Sequence, residues 1–289
     1  MEALRIGKPE FLPRQKDSHK GTYGTALIVC GSYGMAGAAI MAISAALKSG
    51  VGIVKAAVPE SVYPIITAAV PEAVCIPLPD FKKGIKFCKK TKYEISKALK
   101  TCTAVLFGCG CAETKHSAKL LKFILKNSQA PVTVDAGGIN LLAEHINYCG
   151  LAKSPLIITP HIGEMARLVK KSTAEISESP ANTALEFSQK YNTITVLKSS
   201  NTVVAQNRNV YINTIGNPGM ATGGSGDVLA GITVGLLAQK GDVLTSVLNA
   251  VYVHSAAGDS AACDLGEISL TPTDIINRLP QIYKSLTKQ

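Results

Sequence analysis

With 289 residues, 46% of them apolar, the chain is long enough for one large α/β domain or two small ones, and a disordered or fibrous protein is excluded. The start of the chain is polar, and the longest weakly polar run, residues 35–47, falls short of the roughly 20 residues that a membrane span needs. The expectation is therefore a cytoplasmic protein with no membrane partner. A net charge of +10 invites a nucleic-acid reading, but eight lysines crowd between Lys82 and Lys100, interleaved with Ile85, Ile95 and Leu99 at roughly helical intervals. That pattern predicts an amphipathic helix or helical hairpin with a solvated lysine face. Arginine is scarce and tryptophan absent, so base reading and stacking are poorly supplied, and no nucleic-acid partner is expected. The positive excess is available to steer an anionic substrate.

In chain order, a polar lead gives way to an apolar run, residues 25–30, which reads as a buried strand. The glycine turn Gly31-Ser-Tyr-Gly34-Met-Ala-Gly37 opens a helix of small residues, 38–48. This turn is neither a Walker A loop nor a dinucleotide G-x-G-x-x-G fingerprint. Its small residues suit a close ligand or a close neighbouring helix equally. The alternation continues with strand 52–58, helix 60–70, strand 73–76, the lysine-rich segment and strand 103–107. Gly108-Cys-Gly110 then turns into helix 114–126. Strand 131–135 ends in Asp135 with Gly137-Gly138 behind it, and strand 155–159 ends in Pro160-His161-Ile-Gly163-Glu164, from which a helix runs to Val169. Strand 193–198 ends in Lys198, residues 202–205 and 210–212 read as a hairpin, and helices follow over 243–263 and from Thr271. Eight cysteines without a C-x-x-C pair read as reduced, mostly buried thiols; Cys109 and Cys111 could in principle ligate a metal, but no second pair accompanies them.

Between hairpin and helices lies Gly216-Asn-Pro-Gly-Met-Ala-Thr-Gly-Gly-Ser-Gly-Asp227, followed by Val228, Leu229, Ile232 and Leu236 at helical spacing. A loop without side-chain bulk thus feeds a helix N-terminus, where unpaired N–H groups and the helix dipole favour an anion. A carboxylate at Asp227 belongs there only as a base that takes a hydroxyl proton while N–H groups hold the developing charge. The alternative is that Asp227 is an N-cap and the glycines a tight turn. Strands alternating with helices predict a three-layer α/β/α sandwich with a mostly parallel central sheet, in one domain. Ligands in such sheets lie outside the carboxyl ends of the strands, where Gly31, Gly108 to Gly110, Asp135, His161 and Lys198 fall.

Four segments, Lys20-Gly-Thr-Tyr-Gly24, Gly31-Ser-Tyr-Gly-Met-Ala-Gly-Ala-Ala39, Thr159-Pro-His-Ile-Gly-Glu-Met-Ala-Arg167 and the loop 216–227, closely resemble the ADP/ATP-dependent NAD(P)H-hydrate dehydratases of the ribokinase-like superfamily. The resemblance spans nearly the whole chain and implies one dehydratase domain over residues 1–289, without the N-terminal epimerase domain of some members. It implies repair of hydrated NADH or NADPH, with ADP or ATP as phosphoryl donor and Mg2+ as cofactor. Asp227 is then the catalytic base, and backbone N–H groups of Gly224, Ser225 and Gly226 the anion hole. Substrate contacts carry over to Ala39, Gly110, His161 and Asp227, and nucleotide contacts to Lys198, Ser199, Ser200, Asn201, Thr202 and Gly226, with no side chain assigned to a metal. His161 on its own residue type reads as well as a strand-end histidine satisfied by its neighbours. A homo-oligomer is implied, a tetramer being one form. The chain departs from the family pattern in Gly108-Cys-Gly-Cys-Ala112 for Gly-Pro-Gly-Leu-Gly, in Gly137 for a second aspartate, and in Ser199 for the glycine after Lys198. The competing expectations are a ribokinase-like kinase of a vitamin precursor of the hydroxymethylpyrimidine or thiazole type, which stops at the phosphoester, and a non-catalytic nucleotide binder.

Overall fold

The computed structural model describes residues 3–288. The chain opens with a short edge strand, β1 (Leu4–Arg5), followed by β2 (Thr25–Val29), α1 (Ala36–Lys48), β3 (Ile53–Pro59), α2 (Tyr63–Ala69) and β4 (Val74–Leu78). A two-stranded hairpin, β5 (Asp80–Phe81) and β6 (Gly84–Ile85), precedes α3 (Lys89–Leu99), β7 (Ala104–Phe107), α4 (Lys115–Asn127), β8 (Val132–Val134) and α5 (Gly137–Glu144). Then come β9 (Leu156–Ile158), α6 (Ile162–Val169), α7 (Thr173–Glu178), α8 (Pro180–Tyr191), β10 (Thr193–Leu197), β11 (Val203–Gln206) and β12 (Asn209–Ile212). Three helices close the chain: α9 (Ser225–Leu237), α10 (Val243–Leu265) and α11 (Pro272–Leu286).

The main sheet has ten strands in the order β1-β12-β11-β10-β9-β8-β7-β2-β3-β4. From β10 to β4 every pairing is parallel, and only β11 is antiparallel to its neighbours. Alternate strand residues feed two cores. Ala26, Ile28, Ala104, Leu106, Ile157 and Ile194 face α1 and α9 to α11, whereas Leu27, Val29, Val105, Val132, Leu156 and Ile158 face α3 to α8. Strands buried on both faces read as continuous apolar runs, which is why they were legible as strands without a polar alternation. The result is the expected three-layer sandwich.

Three local readings change. Residues 81–88 are not helical: Phe81 and Gly84 pair as a hairpin, Lys82 turns at φ 54°, and the helix starts only at Lys89. Phe81 is anchored there on the His116 ring, with centroids 4.2 Å apart, so tertiary contact overrides the helical lysine spacing. Beyond it, Lys89, Lys90, Lys92, Lys97 and Lys100 are exposed while Ile95 and Ala98 are buried, as the solvated face requires. Two helices, α7 and α8, fill the stretch between Val169 and Thr193 for which the pattern predicts no element. Finally, Leu4 and Arg5 in the polar lead extend the sheet by pairing with Tyr211 and Ile212.

The small residues of α1 serve helix packing. Helix α9 is buried from Val228 through Leu237, enclosed by α1, α10, α11 and β7. Its Gly231 and Gly235 let α1 approach so closely that a Cβ on Gly231 would stand 2.3 Å from the Ala42 carbonyl oxygen and one on Gly235 2.9 Å from that of Ala46. Gly231→Ala is therefore expected to destabilise the fold by about 1–3 kcal/mol through overpacking, although alanine gains about 1 kcal/mol in helix propensity. Denaturant unfolding of the two proteins checks the sign, and a more stable variant would refute the contact.

Candidate active site

The adjacent order of β8, β9 and β10 sets three strand ends side by side: Asp135, Thr159 and Lys198. Asp135 Oδ1 accepts from the Thr159 hydroxyl at 2.7 Å and from Lys198 Nζ at 2.8 Å, and Lys198 also lies 3.9 Å from Glu164 Oε2. This cluster is dry: the Asp135 side chain is 1% exposed and that of Lys198 19%. Burial opposes the lysine charge, but Asp135 and Glu164 outweigh it and hold the ammonium above its usual range. Glu164 is pushed up to about 7 by burial, with Asp135 adding to the shift and Lys198 opposing it.

Lys198 donates its backbone N–H to Pro160 O at 2.8 Å, which brings the start of α6 alongside. His161 caps that helix. Its Nδ1 accepts from the N–H groups of Gly163 at 3.0 Å and Glu164 at 3.3 Å, and Glu164 Oε2 accepts the His161 N–H at 2.8 Å. Burial, Lys198 and Arg167 lower the His161 pKa, so the ring is neutral and its proton sits on the half-exposed Nε2. The satisfied-neighbour reading thus describes one ring nitrogen, and the other remains a donor for a ligand.

The head of α9 faces this cluster. Gly224 adopts φ +103° at its N-cap, a conformation that keeps the loop under Met41, whose Cε would be 2.5 Å from any Cβ there. Of the three anion-hole donors expected from sequence, Ser225 N–H is engaged by Thr222 O at 3.3 Å, whereas no backbone acceptor takes Gly224 N–H or Gly226 N–H among the described residues. Asp227 N–H is open in the same way and joins them. Lys198 Nζ approaches the same point, 3.1 Å from where a Gly226 Cβ would stand. Asp227 is the third residue of the helix, not its cap. Its carboxyl is pushed up to about 6 by burial and then by Asp135, against the Cys109 thiol, which donates to it, and the pull of Lys198.

Sequence reasoning missed three supports on α10. His254 Nε2 lies 3.2 Å from Ser225 Oγ, and burial drives its pKa down to about 4, so it is a neutral partner for that hydroxyl. Ser255 Oγ accepts from Asn213 Nδ2 at 2.9 Å. Asp259 binds both Gly216 N–H and Asn217 Nδ2 at 2.9 Å, tying the loop entrance to the helix. A long alanine-rich helix offers no motif that would mark these positions in advance.

These groups enclose a cavity of about 820 Å³. Of the residues expected at the site, His161, Lys198, Ser199, Ser200, Thr202, Gly224, Ser225, Gly226 and Asp227 line it. Asn201, Ala39 and Gly110 do not: Asn201 O closes a turn with Ser199 Oγ, and Ala39 is fully buried. Gly110 is pressed on α1, a Cβ there falling 3.0 Å from Ala38 Cβ. The missing carboxylate at Gly137 has a steric cause, since a Cβ would stand 2.4 Å from Cys111 O. All eight cysteines are free, three of them fully buried, and Cys109 and Cys111 diverge, the first toward Asp135 and the second toward Val29 O.

A family profile described as NAD(P)H-hydrate dehydratase matches residues 26–281. A bifunctional NAD(P)H-hydrate repair enzyme from Moorella thermoacetica is 37% identical over 280 residues, covering 96% of this chain and 53% of its own length. The chain therefore spans about half the length of such bifunctional relatives. A crystal structure of the ADP/ATP-dependent NAD(P)H-hydrate dehydratase from Bacillus subtilis, crystallised with ATP and Mg2+, superposes with a TM-score of 0.82 at 30% identity, covering 96% of this chain and 95% of that one. A ribokinase-like superfamily protein from Enterococcus faecalis gives a TM-score of 0.84 at 27% identity, covering 97% and 93%. The fold is ribokinase-like.

Two stability effects follow from the charges. The folded pKa of Asp227 lies above its unfolded value, so the folded state binds more protons between pH 3.8 and about 6, and stability falls as pH rises through that window. Asp227→Asn is expected to stabilise the protein at pH 8 by about 1–3 kcal/mol, the gain vanishing below pH 4. Lys198→Met leaves Asp135 buried without its cation and is expected to cost about 3–5 kcal/mol. Urea unfolding at both pH values checks both; a destabilised Asp227→Asn or a neutral Lys198→Met would contradict the charge assignment.

Proposed function

This chain belongs to the NAD(P)H-hydrate dehydratase family, and on that premise we propose that it removes water from the (S)-hydrates of NADH and NADPH, using ADP or ATP to activate the hydroxyl. The observation that carries the reading is Asp227, a partly buried carboxyl with a pKa pushed up to about 6 at a helix N-terminus, where open N–H donors and Lys198 stand beside Asp135 and Cys109. A general base tuned toward neutrality beside an anion hole is what phosphoryl transfer to a hydroxyl requires.

In this reading Asp227 accepts the hydroxyl proton of the hydrated ring as the terminal phosphoryl group moves to that oxygen. The N–H groups of Gly224, Gly226 and Asp227, and the Lys198 ammonium, hold the charge that develops on the phosphoryl oxygens. The ring nitrogen lone pair then expels the phosphate, and loss of a proton from the adjacent ring carbon re-forms the double bond of the reduced nicotinamide, so that ATP leaves as ADP and free phosphate, or ADP as AMP and free phosphate. His161 donates from Nε2 to the substrate, while Ser199, Ser200 and Thr202 flank the nucleotide. Asn201 is carried with them through the turn it closes. Ala39 and Gly110 act through their backbones, Ala39 having no exposed side chain.

Mg2+ fits this donor set: Asp135 Oδ2 lacks the lysine and threonine bonds of its sister oxygen and would hold the hydrated ion, which keeps several waters and arrives with the phosphates. Its chemistry there is neutralisation of the phosphate oxygens. Gly137 supplies no second carboxylate, so more of the shell is left to water and phosphate. We read residues 1–289 as one dehydratase unit that assembles as a homo-oligomer, a tetramer being one form, and works in the cytoplasm. No helix among the described residues is long and apolar enough to cross a membrane.

The test is the absorbance of the reduced nicotinamide after mixing the protein with hydrated NADH or NADPH, Mg2+ and either ADP or ATP. A nucleotide-dependent rise is expected, with kcat increasing as pH rises through about 6, where Asp227 loses its proton. Asp227→Asn is expected to lower kcat by about 10²–10⁴-fold while nucleotide affinity is kept. Accumulation of a stable phosphoester without restored absorbance would point instead to a kinase that stops at the first step.

A further inference from the structure

Cys109 stands where the dehydratase pattern carries proline, and its fully buried thiol lies at the border of the apolar core, turned toward carboxylates. Sγ lies 3.8 Å from Asp135 Oδ2, and Cys109, Asp135 and Asp227 each bring one ligand atom to within 4.8 Å of the others. The two oxygens of Asp135 are divided in their work. Oδ1 is saturated by the Thr159 hydroxyl and the Lys198 ammonium, which fixes the carboxylate plane and turns Oδ2 to the thiol. That is how outer-shell partners orient a metal ligand. Asp227 faces the same thiol, so one sulfur and two carboxylates converge on one point.

The spacing suits one class of ion. Tetrahedral zinc, about 2.3 Å from sulfur and about 2.0 Å from a carboxylate oxygen, separates sulfur and oxygen by about 3.5 Å, close to the distance already present. Mg2+ takes oxygen ligands in a tight octahedron, so the two ions share Asp135 Oδ2 and exclude each other, but only the thiophilic one uses the sulfur. Lys198 does not repel the ion outright, because its charge is shared by Asp135 and Glu164.

We propose that Cys109, Asp135 and Asp227 form a binding site for a thiophilic divalent cation of the zinc class. The ion displaces the thiol proton to solvent, binds one sulfur and two carboxylate oxygens, and keeps a water in the fourth position on the cavity side, where Asp135 and Asp227 line the wall. An ion held there occupies Asp227 and switches turnover off, a consequence that rests on Asp227 being the base; binding itself does not.

Cobalt is the probe, since it takes zinc sites and its bond to a thiolate gives a charge-transfer absorption. The full chain, stripped with a chelator, is titrated with Co2+ and then displaced with Zn2+. One equivalent with the thiolate band is expected, and both Cys109→Ser and Asp227→Asn should weaken binding by at least the roughly 10–100-fold that outer-shell losses cost. Asp227→Asn, expected to fold more stably than the parent, keeps the test sound if Cys109→Ser folds poorly. Absence of the thiolate band, or unchanged affinity in Asp227→Asn, would overturn the site. Cobalt bound through Cys109 with full turnover retained would support the site and count instead against Asp227 as base.

Discussion

Two carboxylates, Asp135 fully buried and Asp227 partly so, are held near each other at the carboxyl end of a parallel sheet, and one lysine makes this possible. Lys198 neutralises Asp135 directly at 2.8 Å and stands within reach of Gly226, one residue before Asp227. Remove that charge and Asp135 would be a buried carboxylate without a cation. With it, Asp135 keeps a cation, while Asp227 sits far enough from it to stay raised near neutrality. The difference between the two acids is set by position: Asp135 has Thr159 and Lys198 on one oxygen, and Asp227 has neither.

The fold supplies those positions with little freedom. Strands β8, β9 and β10 are parallel neighbours, so the residues that follow them emerge at one edge at strand spacing. Helix α9 brings Asp227 to that edge only because α1 lets it lie deep, through Gly231 and Gly235 against Ala42 and Ala46. The entrance loop is then tied down by Asp259 and the helix start supported by His254, both from α10. Packing of small residues far from the cavity thus fixes the placement of the base.

Much of this was legible in the sequence because the signals are local. The loop 216–227 has a composition that only a turn into a helix explains, and doubly buried strands appear as unbroken apolar runs between glycines and acids. Three kinds of feature were not legible. Phe81 to Ile85 carries lysines at helical spacing, yet a contact with His116, distant in sequence, makes it a hairpin. Helices α7 and α8 begin with a Ser172–Glu175 capping box and Pro180, but their apolar faces are short and broken. Lys198 was placed with the nucleotide loop that follows it, and the further pairing of its side chain with Asp135 and Glu164 is something no one-dimensional pattern reveals.

The departures from the family pattern form one rearrangement. Gly137 has no room for a side chain because the Cys111 carbonyl occupies that space, and Ala136 before it takes φ +48°, a strained value for a residue with a Cβ. Gly108 is pressed just as closely on Asp135 O, where a Cβ would fall at 1.8 Å. The loop 108–112 and the turn 135–138 therefore fit as a pair, with no room for a side chain at Gly108 or Gly137 and with the Cys109 thiol beside Asp135 Oδ2. In the proposed site that sulfur sets a ligand for soft ions beside the carboxylate oxygens that suit hard ones, at the place where Gly137 leaves no room for a second aspartate.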